Sequence, residues 1–174
     1  MKNVEGIIDA TAIAYYLSYK CLIDKHIEVC DFTSEYFSAY FVPAITTAAF
    51  SCELALKNLC AVSNDKSVKS HDLNELLFML DKSQKNEIVS RTINAYNKKS
   101  EILNVADYID EKNFYELLIF HKNSFTIWRY FYEGNPSVDL DFIEAFMFCL
   151  NSVDDEYEEY IFNQLSKKIR NQSQ

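Results

Sequence analysis

The sequence predicts an all-α fold, a bundle of five to seven helices, on three observations. Apolar residues recur at close to helical spacing through most of the chain. Only two glycines and two prolines occur in 174 residues, too few for the turns of a multi-stranded sandwich. The hydrophobic fraction is 49%, with aromatics at 15%, well above what a disordered chain carries. At this length one domain over residues 1–174 is expected, with core enough to fold without staples.

The elements follow in chain order. Ile7, Ile8, Ala12, Tyr15, Tyr16, Tyr19 and Leu22 space a first helix over about Val4 to Asp24. A second runs from Ser34 to Val62 on Phe37, Phe41, Ile45, Ala48, Cys52, Leu56 and Cys60, with Pro43 predicting a kink or break. Ser63 to Ser70 is polar and aperiodic, a loop. Asp72 with Glu75 makes a capping-box-like start for a short helix to about Asp81. Gln84 to about Lys99 forms the next, and 100–112 reads as loop plus a helical turn. Asn113 and Glu116 open a long helix ending near Gly134, an apt residue just past a C-terminus. The last helix spans about Val138 to Arg170, with acidic residues in its first turn and basic ones in its last.

Charge narrows the function classes. A net charge of -9 argues against a broad surface for nucleic acid, because phosphate contacts supply most non-specific affinity. It leaves room for a local site. The five cysteines (Cys21, Cys30, Cys52, Cys60, Cys149) form no C-x-x-C pair and read as reduced, packed thiols. The N-terminal stretch is interrupted by Glu5 and Asp9, unlike a signal peptide, and no membrane span of about 18 uncharged apolar residues is expected. Cytoplasmic location is the expectation. Glycine-rich phosphate loops, zincin motifs and nucleophile elbows are absent from the sequence. No metal and no cofactor are expected, and the acidic run from Asp154 to Glu159 reads as a solvated face.

Two constellations carry chemistry. Glu53 and Lys57 stand four apart in an otherwise apolar stretch, followed by His71 directly before Asp72. They form either an ordinary surface ion pair or a half-buried polar site, since charge in so apolar a segment is costly unless paired. His71 either hydrogen-bonds a neighbour or transfers protons. The second constellation is Trp128-Arg129-Tyr130 with Tyr132 and Glu133. There the guanidinium either stacks on a base or clamps phosphate, or pairs with Glu53 or Glu133. His121 and Lys122, mid-helix, are expected to be structural or exposed.

Taken together, Glu53-x-x-x-Lys57-x-Leu59, His71-Asp72-Leu73-x-x-Leu76 and Arg129-Tyr130-x-Tyr132-Glu133 resemble HEPN-domain proteins (higher eukaryotes and prokaryotes nucleotide-binding). The likeness covers about Ala48 to Glu133, about half of the chain. It implies a homodimeric HEPN-like helical bundle. It also implies a role in bacterial phage defence or toxin–antitoxin systems, a nucleotidyltransferase or antitoxin partner, and RNA or a nucleotide as ligand. Many such proteins are metal-independent endoribonucleases with an Arg-x4–6-His motif. Here Arg91 is followed at that distance by Tyr96, Asn97 and Lys98, Arg129 by Gly134, Asn135 and Pro136, and Arg170 by no His.

The expectation is therefore a HEPN-like binding or regulatory module. His71 and Arg129 are its candidate catalytic residues, and Glu53, Lys57 and Tyr130 its polar network. Two alternatives stand: an endoribonuclease with a rearranged site, and a plain protein-interaction bundle.

Overall fold

The computed structural model describes residues 2–29, 37–64, 68–134, 136–151 and 154–172. These residues form only helices and their connections. The helices are α1 (Lys2–Val29), α2 (Phe37–Asn64), α3 (Leu73–Phe78), α4 (Lys82–Leu103), α5 (Glu111–His121), α6 (Ser124–Arg129), α7 (Leu140–Leu150) and α8 (Asp154–Gln172), with one 3-10 turn at Phe131–Glu133. Six of the eight span eleven residues or more and make up the bundle.

The two long N-terminal helices pack side by side as an antiparallel-neighbour pair, and α2 also meets α3, α6 and α7. By length and composition the Ala39–Val62 stretch of α2 would suffice to cross a membrane, yet half of it is buried inside the bundle. Pro43 lies within α2, which runs unbroken through it. Proline removes one backbone donor, but Ala44, Ile45, Ala48 and Ala49 are fully buried just beyond it, and that packing supports the continuous helix.

Helix α7 is the centre. Every residue from Phe142 to Leu150 is buried, as an all-round apolar helix must be. It touches α2, α4 and α8. Phe114, Phe142 and Phe146 pack ring against ring on one side of it, and Phe148 packs on Tyr157 and Tyr160 of α8 on the other. One charge sits in this run. Glu144, 3% exposed, accepts hydrogen bonds from the Tyr19 hydroxyl of α1, the Tyr160 hydroxyl of α8 at 2.9 Å and the Lys99 ammonium of α4. Lys99 also pairs with Asp141 at 2.5 Å. Burial alone would lower the Lys99 pKa, but the two carboxylates outweigh it and hold it above the usual lysine value.

Several boundaries differ from the sequence expectation, each for a local reason. The short third helix stops at Phe78, because Asp81 instead caps α4 through Gln84 N–H at 2.9 Å. Helix α4 continues to Leu103 and ends at Asn104, the described non-glycine residue with positive φ, 54°. The loop after it is strapped back onto α4. The Asn97 side chain bonds both backbone groups of Ile109, and Tyr96 bonds Asp107 at 2.8 Å.

Asp110, not Asn113, caps α5, with Asn113 as the reciprocal member of its capping box. The long helix expected to Gly134 breaks at Lys122–Asn123, where the Lys122 carbonyl accepts from Leu73 N–H at 2.9 Å. Gly134 is extended rather than left-handed. The last expected helix is two. Asp139 caps α7 through Phe142 N–H, and the chain turns at Asn151, whose amide bonds Met147 O and Ser51 Oγ. Among the cysteines, Cys52, Cys60 and Cys149 are buried and Cys21 is exposed, so packing is not the role of that thiol. Cys30 lies outside the described residues.

Candidate functional site

Glu53 sits on α2 among buried neighbours Ser51, Cys52, Ala55 and Leu56 and is 1% exposed. A carboxylate there must find donors. One oxygen, Oε1, accepts from Lys57 Nζ and from His71 Nδ1, each at 2.8 Å. The other, Oε2, is buried without a partner. Lys57 follows Glu53 inward at 15% side-chain exposure, whereas His71 is 59% exposed. The residues therefore form neither a free surface pair nor a sealed network. The carboxylate is inside and the imidazole is at the surface. With Nδ1–H donated to Glu53, Nε2 is the ring nitrogen left for an outside partner.

Local structure fixes His71 in place. The next residue, Asp72, caps α3 by accepting from Asn74 N–H at 2.9 Å and Glu75 N–H at 3.0 Å. Ser70 Oγ accepts from Asp72 N–H and donates to Glu75, so Ser70 takes the place of the reciprocal capping bond expected of Glu75. Leu73 N–H to Lys122 O then ties this corner to the α5–α6 turn. The Asp72–Lys122 ion pair, at 3.9 Å, lies on the same seam.

Arg129 ends α6, which packs on α2. Its guanidinium donates to Tyr130 Oη at 3.0 Å and lies 4.7 Å from the Tyr130 ring centre and 5.3 Å from that of Phe125. Phe125 in turn stacks on Phe50 at 4.3 Å, one helical turn before Glu53. Thus Glu53, Lys57 and His71 come together as expected, while Arg129 bonds to none of them. It belongs to an exposed aromatic strip with Tyr130 and Tyr132. Trp128 is buried against Phe41 and Phe131, a packing residue. Glu158 and Glu159, the described members of the acidic run, are exposed.

The Glu144 cluster was missed from sequence, although its signal is the one that flagged Glu53: a lone carboxylate in the apolar run FIEAFMFCL. Three groups from three other helices close around it, and the buried hydroxyls of Tyr19 and Tyr160 are pushed to higher pKa by burial and by Glu144. It is a structural centre, and its residues do not overlap those at His71.

His121 positions the α5–α6 corner. It is 1% exposed and stacks on Phe142. Its Nε2 accepts from Asp139 N–H at 3.1 Å, so the proton is on Nδ1, which faces Ser124 Oγ at 3.0 Å. Burial lowers its pKa to about 4. The unfolded chain takes up this proton near pH 6.5 and the folded chain only near 4. The stability contributed by the neutral ring is therefore whole above pH 6.5 and is lost as pH falls towards 4. The shift corresponds to about 3 kcal/mol. Asp139 titrates with the opposite effect, its carboxyl raised by burial, so the comparison must isolate the ring. Urea unfolding of wild type and His121→Gln between pH 7 and 4.5 should give a shallower stability loss in the variant. Parallel curves would show that this imidazole is not held neutral.

No family model matches the chain, and no curated protein or solved structure does either.

Proposed function

We propose that this chain is a HEPN-like binding or regulatory module of a bacterial phage-defence or toxin–antitoxin system, acting through the surface around His71 rather than as a self-sufficient nuclease. The observation that carries this reading is how the cations are engaged. Lys57 is bonded to the buried Glu53, and Arg129 is bonded and stacked within its own aromatic strip. RNA cleavage by general acid–base chemistry needs a cation aimed at the phosphate beside the working imidazole, and both are already held elsewhere. The exposed imidazole and the Arg129–Tyr130–Tyr132 strip remain suited to recognising a partner or a nucleotide base.

A second reading, a metal-independent endoribonuclease with a rearranged site, is favoured by one feature. Glu53 orients Nδ1 of His71 and leaves Nε2 outward, the arrangement of an acid–base dyad. Cleavage of a labelled structured RNA in EDTA separates the two readings. Wild type is expected to cut weakly or not at all. Robust cleavage lost in both His71→Ala and Arg129→Ala would replace the first reading by the second. Robust cleavage indifferent to either substitution would remove both residues from the site.

The proposal includes a homodimer. Ile7, Ile13 and Leu17 are exposed along α1 beside Ala10 and Ala14, an apolar face of the kind that symmetric partners cover. Light scattering at high micromolar concentration should give twice the chain mass of 20.3 kDa, and a single-chain mass there would contradict it.

A further inference from the structure

Helix α1 buries Ala12, Tyr16, Tyr19 and Ile23 against the bundle. On the opposite side Ile7, Ala10, Ala14, Leu17 and Cys21 are all exposed. Their spacing alternates three and four, the 3.5-residue repeat of a helix that lies along a second helix. Ile13, also exposed, widens the stripe. The outer face of a surface helix ordinarily carries charge, yet none stands between Asp9 and Lys20. The hydroxyls there are turned back onto α1. Thr11 donates to Ile7 O at 2.6 Å and Ser18 to Ala14 O at 2.8 Å, so both donor hydrogens are spent on the helix itself.

Charge returns only at the C-terminal end, with Lys20, Asp24, Lys25 and Glu28, and this asymmetry selects an orientation. In a parallel pair every residue meets its own copy. Asp24, on the same repeat, would face the partner's Asp24, and Lys20 would lie beside the partner's Lys25, both repulsive. An antiparallel pair with its two-fold axis level with Ala12 avoids both contacts. It packs Ile7 on the partner's Leu17 and Ala10 on the partner's Ala14, and brings Ile13 near its own copy beside the axis. Large residues close the ends, and the alanines let the backbones approach at the centre. Asp24, Lys25 and Glu28 then run past the start of the partner's α1 at Lys2. Sliding by one heptad would set Ile7 against the partner's Asp24, so the charge pattern fixes the register as well.

We propose that a second copy of this chain covers the stripe as an antiparallel α1–α1 seam with its two-fold axis level with Ala12. This inference rests on the homodimer proposed above and commits it to one face, one orientation and one register. The seam is two heptads long, so a dissociation constant in the micromolar range is expected.

Cys21 supplies the reporter, since it is exposed beyond the packed layers while Cys52, Cys60 and Cys149 are buried. A nitroxide on Cys21 of full-length Cys30→Ser protein is measured by double electron–electron resonance, with the mass followed by light scattering. The antiparallel seam places the two Cys21 residues about 28 Å apart, whereas a parallel seam places them about 10 Å apart. Ala14→Glu puts two carboxylates into the seam and should weaken association about 10-fold or more. Leu17→Gln should act in the same direction. Both positions are exposed, so far-UV spectra are expected to match wild type. A separation near 10 Å, or a Cys21 disulfide dimer on mild oxidation, would overturn the orientation. A dimer unmoved by both substitutions would place the interface elsewhere, refuting this seam while leaving the homodimer standing. A single-chain mass for wild type would remove both.

Discussion

A helix buried on every side leaves no surface on which a charge can reach water, and α7 carries one all the same. Glu144 lies near the middle of that helix, and its carboxylate has to be solvated by protein or not at all. Three groups do it: Tyr19 from α1, Lys99 from α4 and Tyr160 from α8. Their positions constrain the bundle, because α1, α4 and α8 must stand around α7 with those side chains converging. Burial of the surrounding phenylalanines supplies the non-directional attraction, while the carboxylate selects one angular arrangement among the many that would bury similar area.

The same physics operates at Glu53 with a different outcome. It too is a buried carboxylate in an apolar helix, and it too gathers donors. One of them, however, comes from a connecting segment rather than from a packed helix. His71 precedes the cap of α3, and that corner is pinned to the Lys122 carbonyl at the α5–α6 turn. An imidazole held at one nitrogen by a buried acid and open at the other is positioned without being enclosed. The Glu144 cluster serves architecture and the Glu53–His71 pair faces outward. This contrast is the physical basis on which recognition at His71 is proposed.

Much of this was legible in the sequence, and what was not has definite causes. The all-α class followed from helical spacing and the scarcity of glycine and proline, and the Asp72 cap and the Glu53–Lys57–His71 association followed from local rules. Helix ends were harder to read where a tertiary bond decides them. The break at Lys122 depends on Leu73, about fifty residues earlier, and nothing in HKNSFTIW announces it. Asn151 ends α7 with help from Ser51 of α2, again invisible locally. Arg129 had two readings from sequence, a group for stacking or phosphate and a partner for Glu53 or Glu133, and its contacts are with the aromatic residues Phe125 and Tyr130. Glu144 was readable in principle, since it is the single charge in a nine-residue buried run. Its partners were not, being 16 to 125 residues away.

The central claim, that the Glu144 carboxylate fixes how four helices meet, is tested most directly by a double-mutant cycle on Glu144→Ala and Lys99→Ala, followed by urea unfolding at neutral pH. Removing Glu144 leaves two buried hydroxyls without their acceptor and the Lys99 ammonium with Asp141 as its remaining carboxylate, so that substitution alone should cost about 3–5 kcal/mol. Removing Lys99 as well should restore part of the loss, giving a coupling of about 1–3 kcal/mol. A cost below about 1 kcal/mol for Glu144→Ala, with additive effects in the double variant, would contradict the account and leave the helix arrangement to apolar packing alone.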